Sequence, residues 1–83
     1  MYIVRATIAV PDEIPHLTYC DQLRDRALAL GWPPPYSAHD KPADNGMLVD
    51  YVWHVNTDYE GILQAIRILG QEFNMTSIGL TRR

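Results

Sequence analysis

The sequence predicts an α+β fold: one antiparallel sheet with two helices on a single face. Three observations carry that expectation. Two stretches, YIVRATIAV (2–10) and MLVDYVWHV (47–55), alternate side chains with a period of two, as half-buried strands do. Each is followed by apolar residues recurring at three- and four-residue steps, the signature of an amphipathic helix. The chain then closes on a second-period run, Thr76 to Thr81, with Ile78 and Leu80 on one side.

Taken in order, the first strand places Tyr2, Val4, Ala6, Ile8 and Val10 toward a core. Pro11 ends it. Pro15 is tolerated at the start of the first helix because the opening turn does not use its N–H. Leu17, Cys20, Leu23, Ala27 and Leu30 form that helix's expected buried stripe, and Gly31 stands where a left-handed C-terminal cap is wanted. Asn45-Gly46 is a hairpin signal leading into the second clear strand, whose Met47, Val49, Tyr51, Trp53 and Val55 share the inward face. Thr57 and Glu60 have the spacing of a capping box, and Asp58 adds charge at the positive end of the helix dipole. Tyr59, Ile62, Leu63, Ile66, Leu69 and Phe73 form the second stripe. Gly70 interrupts it, at a cost of roughly 1 kcal/mol against alanine, so it is expected either to end the helix or to permit close packing.

If Tyr36 to His39 pairs through the hairpin, the element order is βαββαβ, a ferredoxin-like sandwich. The right-handed crossover rule then gives the sheet order fourth, first, third, second. That order puts the second strand at an edge, where prolines delete no ladder hydrogen bonds. The segment GWPPPYSAHD (31–40) contains Pro33, Pro34 and Tyr36 in the PPxY pattern that WW domains bind. Edge placement explains the same composition without a partner, with Trp32, Pro34 and Tyr36 as the contacts of a proline-rich edge.

Eighty-three residues are expected to form one domain, 1–83. Ten acidic against seven basic residues give a net charge of −3, too acidic for a nonspecific nucleic-acid binder. No apolar run approaches the ~20 residues a membrane helix needs, and the N-terminus lacks the continuous apolar region of a signal peptide. The single cysteine, Cys20, excludes an internal disulfide and suits a reducing cytoplasm, the expected location. No metal or cofactor motif is present: the three histidines, His16, His39 and His54, lack zinc spacing, and the glycines form no phosphate loop. His39-Asp40 reads as a solvated pair, and Cys20 as a packed thiol.

The functional expectation rests on the sheet face that neither helix covers. With Ala6 opposite Tyr51, Ile3, Arg5, Thr7 and Ala9 lie beside Leu48, Asp50, Val52 and His54, flanked by Ser77, Gly79 and Thr81. Arg5 is diagonal to both Asp50 and His54, at the ~7–8 Å a long side chain spans. Asp50 and His54 are themselves ~13 Å apart. Ile3, Leu48 and Val52 can form a contiguous apolar patch, which marks a docking surface. Ile3, Arg5, Leu48, Asp50, Val52 and His54 are therefore the candidate interface. The expected function is a small non-enzymatic protein-binding module acting through this bare face or the proline-rich edge, a class common among phage- or plasmid-encoded inhibitors and regulators. Its partner is an unidentified protein, with a second copy in a homodimer the simplest case.

Two alternatives stand beside it. The element order resembles that of dimeric α+β barrel proteins, which enclose small-molecule pockets; that resemblance implies an enzyme with Arg5 as anion clamp, His54 as acid–base group and Asp50 as distant orienter through Arg5. The other is a structural subunit pairing through its edge strand. RNA binding is not expected, because Tyr2, Tyr51 and Trp53 all fall on the inward phase and leave the outer face without aromatics.

Overall fold

The computed structural model describes residues 1–44 and 46–83. Six elements follow in the expected order: β1 (Tyr2–Val10), α1 (His16–Ala29), β2 (Ser37–Ala43), β3 (Gly46–Val55), α2 (Tyr59–Glu72) and β4 (Met75–Arg82). The sheet order is β2-β3-β1-β4, with every neighbouring pair antiparallel. This is the ferredoxin-like α+β sandwich. Ala6 faces Tyr51 across the central pair, the register the alternation predicts. Of the expected Tyr36 to His39 segment, Ser37 to His39 open a full edge strand that runs on to Ala43, while Tyr36 precedes it. The expected Asn45-Gly46 turn falls partly on Asn45, which lies outside the described residues. Among the described residues, no helix is long and apolar enough to cross a membrane.

One face of the sheet is the core. Val4, Ala6 and Ile8 of β1 and Val49, Trp53 and Val55 of β3 are buried against Leu23 and Ala27 of α1 and Ile62, Ala65 and Leu69 of α2. Trp32 packs edge-on to Trp53, with ring centroids 5.2 Å apart, and Tyr51 stacks on Trp53 at 5.1 Å. Arg26 of α1 joins Glu72 of α2 across the helix pair at 2.8 Å. This pair is exposed and contributes at most ~1 kcal/mol.

Several local expectations are corrected. Leu17 is 74% exposed, and Tyr19 is buried in its place. At about 100° per residue, Tyr19 lies ~60° from the direction shared by Leu23 and Ala27, whereas Leu17 lies ~100° away. Tyr19 also finds a partner for its hydroxyl, which accepts the Asn74 N–H at 2.8 Å. Helix α2 is capped by Asp58, not Thr57: Asp58 Oδ1 accepts the Gly61 N–H at 2.9 Å. A Cβ at position 61 would approach that oxygen to 2.7 Å, so glycine there lets the carboxylate close the cap. Tyr59 and Leu63 remain largely exposed, on the flank of the α2 stripe, as does Ile78 on the edge strand β4.

Gly31 behaves as expected. Its φ of +96° lies in the left-handed region. The Gly31 N–H donates to Leu28 O and the Trp32 N–H to Ala27 O, each at 3.0 Å, which is a Schellman closure. Gly70 does neither thing expected of it. The helix continues to Glu72, and among the described residues a Cβ at position 70 would meet no heavy atom within 4 Å. Gly70→Ala is therefore expected to stabilise the fold by about 0.5–1 kcal/mol, read as a higher urea midpoint with an unchanged slope. A lower midpoint would show that the glycine is required there.

Candidate functional site

The uncovered face is built by simple alternation. Strand residues of odd number in β1, β2 and, beyond a register shift that turns Met75 inward opposite Ile8, β4, and of even number in β3, turn away from the helices, and the register sets them in rows. One row runs Ser37, Val52, Arg5, Gly79; the next runs His39, Asp50, Thr7, Ser77; Ile3 lies between His54 and Thr81. Ile3 and Val52 adjoin diagonally. Leu48 pairs with Ala9 and is separated from Val52 by the polar Asp50 row, so the expected apolar patch of Ile3, Leu48 and Val52 is interrupted.

The candidate residues divide among three shallow hollows. Arg5, Val52, Ile3 and His54 line one of about 420 Å³. Arg5 and Asp50 line its neighbour of about 360 Å³, which also touches Thr7 and Ser77. Leu48 belongs to a third, at the far end of the sheet beside Ala9 and Met47. Asp50 Oδ1 accepts the Thr7 hydroxyl at 2.7 Å. Among the described residues no ion pair joins Asp50 to Arg5, so the expected link from Asp50 through Arg5 to His54 is not made.

The face does carry an aromatic ring, contrary to expectation. Tyr36 lies before β2 begins, and its N–H donates to Val52 O at 2.7 Å. Its ring stacks on His54, with centroids 4.2 Å apart and planes tilted by 14°. Trp32 is buried among the core aromatics on the opposite side of the sheet. The prolines between them thus carry the chain around the sheet edge, from the helix-covered face to the open one. Pro34 and Pro35 line a cleft of about 350 Å³ between α1 and β2, together with Cys20, Arg24, Ala38 and Tyr51. No strand alternation could reveal Tyr36, because it reaches the face from outside the ladder.

A second cluster was also missed. His16 Nε2 lies 3.7 Å from Cys20 Sγ and 3.2 Å from Asp40 Oδ1. Successive strand residues point to opposite faces, so Asp40 turns toward α1 while His39 faces the open side. The His39-Asp40 pair of the sequence is therefore split. Cys20 is half-buried, sharing its cleft with Tyr51. Burial pushes the Tyr51 hydroxyl well above its ordinary value of 10.0, and the neighbouring thiol acts in the same direction. Both contacts of His16 converge on one ring nitrogen, whereas a nucleophile–base–orienter relay uses both nitrogens. The His16–Cys20 spacing of four on one helix was the available signal. Among the described residues, no group of three or more His, Cys, Asp or Glu could hold a metal ion.

No protein-family model matches the chain, and no curated protein matches it. Solved structures do. A formyltetrahydrofolate deformylase from Pseudomonas putida KT2440 superposes with a TM-score of 0.60 at 13% identity, covering 99% of this chain and 28% of the deformylase chain. The C-terminal domain of the MgtC protein from Mycobacterium tuberculosis gives 0.59 at 12% identity, over 96% of this chain and 83% of that one. These likenesses concern the fold alone.

Proposed function

We propose that this domain is a non-enzymatic protein-binding module that docks through its uncovered sheet face. The observation that carries the reading is the asymmetry of the sheet. Both helices lie on one side, where residues alternate into a dense aromatic and aliphatic core. The other side presents Ile3, Val52 and Tyr36 interleaved with Arg5 and His54 and bordered by Asp50, a mixed apolar and polar surface of the kind that suits a protein interface. The catalytic alternative is less well supported, because Asp50 is engaged by Thr7 and stands in a different hollow from His54.

The first test is the solution mass by light scattering over a hundredfold concentration range; a dimer would make the partner a second copy. The second compares Val52→Asp with Leu63→Asp, the latter on the exposed flank of α2. With folding confirmed by circular dichroism, the Val52 variant is expected to lose its partner, or the dimer, while the Leu63 variant keeps it. Equal association of wild type and the Val52 variant would refute the proposal.

A further inference from the structure

The hollow at the Tyr36 end of the sheet has a specific chemical character. Its lining brings together Arg5, His39, His54, Tyr36, Ser37 and Arg83, with no aspartate or glutamate among the lining residues. This is unusual for a chain with a net charge of −3. Two of the other arginines are already engaged: Arg24 lies 3.3 Å from Asp21 and 3.8 Å from Asp25, and Arg26 pairs with Glu72. Among the described residues, Arg5 forms no ion pair. Gly79, opposite Arg5 on β4, contributes no side chain, which leaves the guanidinium room to turn.

The rest of the hollow is held in place. The Tyr36 N–H is fixed to Val52 O, and the Arg83 N–H donates to Met1 O at 2.8 Å, so both flanking segments are tied to the sheet by backbone. Tyr36 is 72% exposed although one side of its ring is covered by His54. The other side of the ring is open. An exposed, fixed aromatic face beside an unpaired guanidinium, with two imidazoles and a hydroxyl able to donate, is complementary to a flat ring that carries an anionic group. A volume of about 420 Å³ suits one such ring and its substituent.

We infer that this hollow binds a small planar aromatic anion: the ring stacks on the open face of Tyr36, and the phosphate or carboxylate is taken by Arg5, with His39 and His54 as further donors. The inference concerns a small molecule and does not depend on the protein-docking reading, since it is tested on the isolated domain.

Amide chemical shifts of the labelled protein would be followed while four probes are added separately: adenosine monophosphate, salicylate, adenosine and inorganic phosphate. The first two combine ring and anion, one with phosphate and one with carboxylate; the last two supply each part alone. At least one combined probe is expected to give saturable shifts centred on Ser37, Val52 and His54. Adenosine and phosphate should each bind about tenfold more weakly or worse. Tyr36→Ala is expected to weaken the combined probe by roughly tenfold, and Arg5→Gln by a similar factor; the spectrum itself reports that each variant remains folded. Saturation by neither combined probe, shifts centred elsewhere, or undiminished binding to the folded Arg5 variant would overturn the assignment.

Discussion

Trp53→Ala is expected to cost about 3–5 kcal/mol, the largest effect of any single side-chain truncation in this domain. Trp53 is fully buried at the centre of β3, opposite Val4, with Trp32 edge-on at 5.2 Å and Tyr51 stacked at 5.1 Å. Removing the indole leaves a void bordered by two large rings that are themselves anchored, Trp32 by the Schellman closure of α1 and Tyr51 by its strand. Neither can collapse far into the space. A domain of this length has roughly 4–12 kcal/mol of stability in all, so the variant should be marginal at 37 °C. Phenylalanine is the informative control. Among the described residues Trp53 Nε1 has no hydrogen-bond partner in its buried site, and an orphaned N–H costs the folded state about 1–3 kcal/mol. Trp53→Phe removes that penalty while keeping most of the ring, so it should lose clearly less stability than alanine. Urea unfolding followed by the fluorescence of Trp32 measures both. Alanine and phenylalanine variants of equal stability would contradict the packing account.

The second large effect is alkaline. Tyr51 is nearly fully buried, and burial together with the adjacent Cys20 thiol raises its hydroxyl well above the ordinary 10.0. Below about pH 10 both folded and unfolded chains keep the proton, and stability is independent of this group. Above it the unfolded chain loses the proton while the folded chain retains it. Stability therefore falls as pH rises, by up to about 1.4 kcal/mol per unit for one proton. Tyr51→Phe has no proton to lose at this site, so its stability should decline less steeply above pH 10 than that of the wild type, whatever constant offset the substitution introduces. The measurement is a series of urea midpoints between pH 8 and 11.5. Parallel decline of the two proteins would show that Tyr51 does not control the alkaline limb.

These two residues mark how far the sequence could be read. Alternation alone places both inward, because strand period is a local property and a two-residue repeat over nine positions leaves one phase consistent with a core. The same phase gave the Ala6–Tyr51 register and hence the rows of the open face. Gly31 was legible for a similar reason, since a left-handed cap is chosen by the backbone next to it. Where two local solutions competed, the sequence was ambiguous: Thr57 and Asp58 are both competent caps, and the absence of a Cβ at Gly61 favours the aspartate. Leu17 and Tyr19 show the same limit on a helix, where hydrophobicity ranks leucine first but angular position and the Asn74 N–H select tyrosine.

By itself, then, the sequence determined five of the six elements and the inward phase of the two central strands, because these follow from short-range periodicity. The strand order followed from the chirality of crossovers once Tyr36 to His39 was granted as a strand, and the structure supplied that strand as Ser37–Ala43. Only the tertiary structure decided what meets on the sheet faces. Tyr36 reaches His54 by way of a proline segment that rounds the sheet edge, His16 on α1 meets Asp40 on β2, and the Thr7 hydroxyl reaches Asp50 before Arg5 does. Each of these contacts joins residues whose separation along the chain carries no periodic signal, and each depends on angstrom-scale side-chain placement that only the packed sheet supplies.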